Sequence, residues 1–182
     1  MQHEMIFAGF GGQGALFAGQ LLAYAALEED KHVTWIPSYG PEMRGGTAHC
    51  VVIVSDEEIG SPIIRNPTSA IVLNNPSMDK YEPLIVPGGV LVVNRSLIAR
   101  PGVRKDITIL DIPANELAAE AGSAKMANVV LLGALLEVTH AVAPESVLKA
   151  LDEHLPAKAR KLLDANKQAF QKGIEAARAQ RK

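Results

Sequence analysis

The sequence predicts a three-layer α/β/α sandwich around a mixed, mostly parallel, Rossmann-like sheet, with residues 1–182 forming a single domain. Three observations predict it. Short apolar runs alternate with stretches of helical periodicity, the pattern of a parallel sheet flanked by helices. A glycine turn, Gly9-Phe-Gly-Gly-Gln-Gly14, joins the first apolar run to the first helical stretch. The length of 182 residues, 48% of them hydrophobic and 21% charged, suits one soluble domain with a proper core.

The elements follow in order. Met5–Ala8 is short, apolar and bounded by Gly9, as a buried strand should be. Ala15–Glu29 places Leu16, Gln20, Ala23 and Leu27 on one face and predicts a helix, which Asp30-Lys31 breaks. His32–Pro37 is the second strand, Ser38–Gly46 a loop of turn formers, and Thr47–Ser55 a valine-rich strand. The loop between these two strands is too short for a helical crossover, so the pair is antiparallel or non-adjacent. Ser69–Leu73, Val90–Asn94 and Ile107–Asp111 complete the strands, with a short helix at Asn75–Tyr81. Pro113 opens a helix to Ala121. Met126–Ala141 is apolar nearly all round and reads as a buried helix. Pro144–His154 and an amphipathic helix from Ala157 to about Ala177 close the chain.

Composition excludes several functions. The net charge of −2 gives no footprint for nucleic acid. No apolar run is long enough to span a bilayer. The lone cysteine, Cys50, excludes an internal disulfide and a four-thiolate iron–sulfur cluster held by this chain alone. It suits a reducing cytoplasm, and Met1 runs almost directly into a strand with no signal peptide. No metal site is expected.

Two segments carry candidate chemistry. In the first, Gly9, Gly11, Gly12, Gln13 and Gly14 lie between a strand and a helix. There the backbone can approach a ligand, and the helix start offers N–H groups and a positive dipole end to an anion. Gly9, Gly11 and Gly14 also meet the dinucleotide spacing G-x-G-x-x-G, but no acid stands at the end of the second strand to hold a ribose. This argues against autonomous NAD binding, and the lack of Lys-Ser or Lys-Thr after Gly14 excludes a Walker loop. The second segment is Ser38-Tyr-Gly-Pro-Glu-Met-Arg-Gly-Gly-Thr47. Arg44 there suits a carboxylate or phosphate, which guanidinium binds bidentately. Tyr39, Glu42, Met43, Gly45, Gly46 and Thr47 surround it in an interface or ligand loop.

Together, Gly9–Gly14 and Tyr39–Thr47 give the chain a resemblance to the γ subunit of 2-oxoacid:ferredoxin oxidoreductases. The spacing, length and strand–helix order match as well. The Tyr-Gly-Pro-Glu-Met-Arg-Gly-Gly run most resembles the 2-oxoglutarate and branched-chain 2-oxoacid type. The resemblance implies oxidative decarboxylation of a 2-oxoacid with coenzyme A, giving acyl-CoA, CO2 and reduced ferredoxin. It implies thiamine diphosphate, magnesium and iron–sulfur clusters on partner α, β and in some cases δ (ferredoxin-like) subunits. This chain then acts only in complex, its two loops receiving coenzyme A phosphates or the substrate carboxylate, or clamping a partner loop. The competing readings are an independent nucleotide-binding regulator or NAD-linked protein, and a purely structural subunit.

Cys50 reads as a buried structural thiol and its neighbour His49 as a structural histidine on the opposite face. His140 is expected to cap helix carbonyls, and Asn128, in an apolar segment, needs a hydrogen-bond partner. Asn74-Asn75-Pro76 reads equally as a helix cap or as donors to a ligand.

Overall fold

The computed structural model describes residues 1–40 and 46–181. Six strands, β1 (Gln2–Phe10), β2 (His32–Tyr39), β3 (Thr47–Ser55), β4 (Ser69–Val72), β5 (Val90–Asn94) and β6 (Thr108–Ile112), form one sheet in the order β2-β3-β1-β4-β5-β6. β3 runs antiparallel to both β1 and β2, while β1, β4, β5 and β6 pair in parallel. The mixed, mostly parallel sheet predicted from the short second connection is therefore present. β1 is longer than its apolar run because it pairs with β3 along its whole length, from Gln2↔Ser55 to Phe10↔Thr47.

Strand alternation splits the core in two. Met5, Phe7, Cys50, Val52, Ile71 and Val92 point to one face. That face is covered by α1 (Ala15–Leu27), α3 (Ala114–Glu120), α4 (Ala127–Thr139), α5 (Pro144–His154) and α6 (Leu163–Gln180). Ile6, Ala8, Ala70, Val72, Leu91 and Val93 point to the other, which carries α2 (Asn75–Tyr81) and the 3-10 turn Glu82–Leu84. The three layers are thus unequal in thickness.

α1 and α4 are buried on nearly all sides, so neither shows a clear apolar stripe. α1 lies so close to β3 that a Cβ on Gly19 would run into the Cys50 sulfur. α4 and α6 cross at Gly133 and Gly173, where each glycine meets backbone of the other helix. Several predicted boundaries shift: β2 runs on to Tyr39, two residues into the predicted loop, α1 stops at Leu27, and β6 lies one residue later. Two further shifts have clear local causes. The last helix begins at Leu163 and reaches Gln180, because Ala157–Leu162 is wound as a 3-10 helix. The buried helix ends at Thr139, because His140 adopts a left-handed φ of 50° and its backbone N–H donates to the Leu136 carbonyl. His140 therefore ends the helix through its backbone while its ring is exposed.

Edge β6 is protected by Gln180 of α6. Its amide accepts from the N–H of Asp111 and donates to the Asp111 carbonyl, as a neighbouring strand would.

Candidate functional site

The glycine turn lies at the carboxyl ends of β1 and β4, where the chain after β1 passes to one sheet face and the chain after β4 to the other. Open α/β sheets bind ligands at such a switch point. The turn is built by its own residues. Gly12 and Gly14 have φ of 97° and 79°, a region that side chains rarely adopt. The Gln13 Oε1 accepts from the Phe10 N–H at 2.7 Å, and its Nε2 donates to the Leu73 carbonyl at 3.2 Å. The Gln13 amide thus holds the turn shut rather than pointing outward. Gly9 has to be glycine here, because a Cβ would lie 2.6 Å from Gln13 Oε1 and 3.0 Å from Leu73 Cβ.

Asn128, at the start of α4, donates to the Gly14 carbonyl at 3.0 Å and finds there the partner its burial demands. Gly14 opens α1 with no side-chain cap and no acid in the first turn. The first N–H groups and the positive dipole end of α1 are left for an anion. Above them lies a hollow of about 310 Å³ between Gly11, Gly12, Leu16, Phe17 and Tyr39.

The second loop meets the first. Gly11 donates its N–H to the Gly46 carbonyl at 2.9 Å, and Gly40 donates to the Thr47 carbonyl at 2.8 Å. Tyr39 and Thr47 are exposed at this rim, and Gly46 is half-buried. Glu42, Met43, Arg44 and Gly45 lie outside the described residues. The structure brings together every described candidate: Gly9, Gly11, Gly12, Gln13, Gly14, Tyr39, Gly46 and Thr47.

Other residues resolve as follows. Asn74 is a helix cap, its Oδ1 accepting from the Ser77 N–H at 2.9 Å. Cys50 is fully buried, and burial pushes its thiol pKa up to about 12. His154 stacks on Tyr24 with ring centroids 3.8 Å apart.

Asn94 carries no sequence signal because its partners come from distant segments. It ends β5, donates to Asn115 Oδ1 at 3.0 Å, and keeps its own Oδ1 buried with no partner among the described residues. It lines a hollow of about 170 Å³ with Gly12, Gln13, Leu97 and Lys125. His49 also has a place its sequence context did not show. It points away from Cys50, and it lines a further hollow instead of packing as a satisfied core histidine.

Residues 4–176 match the family model described as pyruvate ferredoxin/flavodoxin oxidoreductase. The chain belongs to this family. Along its length this oxidoreductase-family chain is similar to the 2-oxoglutarate synthase subunit KorC of Methanocaldococcus jannaschii. The two are 37% identical over 181 residues, 98% of this chain and 95% of that one. Similarity to the ketoisovalerate oxidoreductase subunit VorA of Methanothermobacter thermautotrophicus is 36% over 171 residues. That match takes 94% of this chain but only 35% of VorA, so the chain spans about a third of that relative's length. In structure it is similar to the γ subunit of a keto/oxoacid ferredoxin oxidoreductase from Geobacter sulfurreducens. The TM-score is 0.82 at 32% identity, covering 97% of this chain and 99% of that one. The relatives are named for different 2-oxoacids. Among the described residues no helix is long and apolar enough to cross a membrane.

Proposed function

We propose that the chain is the γ subunit of a cytoplasmic, thiamine diphosphate-dependent 2-oxoacid:ferredoxin oxidoreductase of the 2-oxoglutarate or branched-chain type, and that it works only when assembled. The observation that carries the reading is the Gly11–Gly46 hydrogen bond. It joins the two motif-bearing loops into one rim over the uncapped start of α1.

Thiamine diphosphate, magnesium and iron–sulfur clusters are assigned to partner α, β and δ subunits, with ferredoxin as electron acceptor. The donor chemistry supports this. A cluster takes thiolates, and the one cysteine here has its thiol buried and hard to ionise. Coenzyme A, when bound, supplies the thiol that carries off the acyl group. The glycine turn fits its phosphates: open N–H groups, a helix dipole, glycines that let backbone approach, and no acid in the first turn of α1 to repel it. Arg44, on the adjoining loop, is assigned to a carboxylate or phosphate of substrate or coenzyme. Gln13 and Asn128 position the turn by fixing its carbonyl and N–H groups.

The test is reconstitution with partner subunits carrying a thiamine site and cysteine clusters. Coenzyme A-dependent reduction of ferredoxin that requires this chain supports the reading. Complete turnover without it, or micromolar binding of NAD, FAD or ATP by the isolated chain, overturns it.

A further inference from the structure

On the face of the sheet opposite α1, a separate hollow opens beside the ends of β1, β2 and β3 and is closed by α2. Its volume is about 230 Å³. Its polar walls come from Ser38, Thr47, His49, Ser77, Lys80 and Tyr81. Alternation along β3 puts His49 here, because Cys50 points to the α1 side.

The His49 ring makes no hydrogen bond among the described residues. Its neighbour is the Tyr81 ring, with centroids 5.9 Å apart and a tilt of 48°. Lys80 lies over the same tyrosine, its Nζ 5.0 Å from the ring centroid. The adjacent acid on α2, Asp79, is drawn off by Arg100 at 2.8 Å, and no carboxylate lines the hollow among the described residues. β1 contributes Ala8 and Gly9, and β2 contributes Ser38 and Tyr39, so among the described residues Lys80 is the one full charge in the walls beside His49.

We infer that this hollow is a binding site for a phosphate group carried at the end of a small ligand. Lysine acts on phosphate as a point charge, and the imidazole and hydroxyls around it supply directed donors. A phosphate offers three strong acceptor oxygens, and the imidazole N–H, the ammonium and the hydroxyls offer more donors than a carboxylate can use. The volume is below the ~300 Å³ at which whole small-molecule sites begin, so the hollow takes an end group rather than a complete coenzyme. Burial first, and Lys80 second, keep the His49 pKa below that of a free imidazole. A bound phosphate faces both groups and reverses the effect of Lys80. The inference concerns this chain's own residues and does not depend on the oxidoreductase reading.

The experiment is an NMR titration of the histidine rings of the full chain with inorganic phosphate at constant ionic strength, His49→Gln identifying the His49 signals. The expected result is saturable movement of the His49 signals, with the titration midpoint of that ring moving up in pH. Lys80→Gln, an exposed substitution, should weaken binding roughly tenfold. Lys125→Gln, beside a different hollow, should leave binding unchanged. Phosphate should bind more tightly than acetate. Unmoved His49 signals, a drift shared by all the histidines, full binding in Lys80→Gln, or equal binding of acetate would each overturn the inference.

Discussion

Gly11 donates its backbone N–H to the carbonyl of Gly46 across 2.9 Å, at the mouth of the sheet where Phe10 pairs with Thr47. Two glycines more than thirty residues apart in sequence thereby join the two motifs into one structural unit. A change in either loop should be felt in the other, because they share this bond and the last pair of the β1–β3 ladder.

Gly12 and Gly14 test what holds that unit. Both have positive φ, so alanine at either carries backbone strain of about 1–2 kcal/mol. At Gly12 an added Cβ meets nothing within 4 Å, and the strain should be the whole cost. At Gly14 it would lie 2.5 Å from Asn128 Nδ2 and displace the side chain that holds the Gly14 carbonyl. Urea unfolding should therefore rank Gly14→Ala clearly below Gly12→Ala in stability. Equal losses would mean that Asn128 moves aside freely and is no clamp.

The strand order of the polypeptide and the presence of each helix were legible because apolar runs, glycine turns and Pro113, Pro144 and Pro156 mark them locally. The resemblance implies that the two loops act together, and Gly11 and Gly46 bring them into contact. What sequence did not show depends on contacts between distant segments. Gln13 is a candidate ligand contact by sequence, yet Leu73 and Phe10 take its amide. Asn94 and His49 sit in ordinary strand contexts, and only the approach of Asn115 or of α2 gives them a role. The glycines at the α4–α6 crossing, Gly133 and Gly173, carry no local signal either.

Glu82 should make the protein sensitive to acid. Its buried carboxylate accepts from Arg100 Nη1 at 2.8 Å and from the N–H groups of Val103 and Arg104. Burial alone would raise its pKa, but these donors outweigh burial and hold it below the usual 4.5. A depressed pKa contributes stability that is complete above the unfolded value and is lost as pH falls through the folded one. Between neutral pH and about 5 this contribution should stay constant; below 4.5 it should decline. Glu82→Gln should remove that part of the acid dependence and cost about 1–3 kcal/mol at pH 7. An unchanged acid limb in Glu82→Gln would assign the sensitivity to other carboxylates.

Cys50 should be inert in the folded chain. Its sulfur is fully buried against the Ala15 carbonyl, and its pKa of about 12 leaves almost no thiolate at pH 8. Iodoacetamide should label the urea-unfolded chain and spare the native one on the same timescale. Stoichiometric labelling of native protein within minutes would show that α1 lifts from β3 readily.

Arg44 carries the decisive prediction for function. Both ends of its loop are held at the rim, Gly40 by Thr47 and Gly46 by Gly11. If the guanidinium binds a carboxylate or phosphate as a fork, lysine cannot reproduce the paired hydrogen bonds. In the reconstituted complex Arg44→Ala should lower kcat/KM by the equivalent of roughly 2–4 kcal/mol, the scale for truncating one partner of a buried charge pair. Arg44→Lys should recover little of it. The isolated chain should keep its stability to within about 0.5 kcal/mol, the range for substitutions outside the packed core. Such a pattern places the loss in recognition rather than folding. If Arg44→Ala instead leaves turnover and coenzyme A dependence unaltered in an intact complex, the loop acts as scaffolding, and the anion it was assigned must be held by the glycine turn and the start of α1 alone.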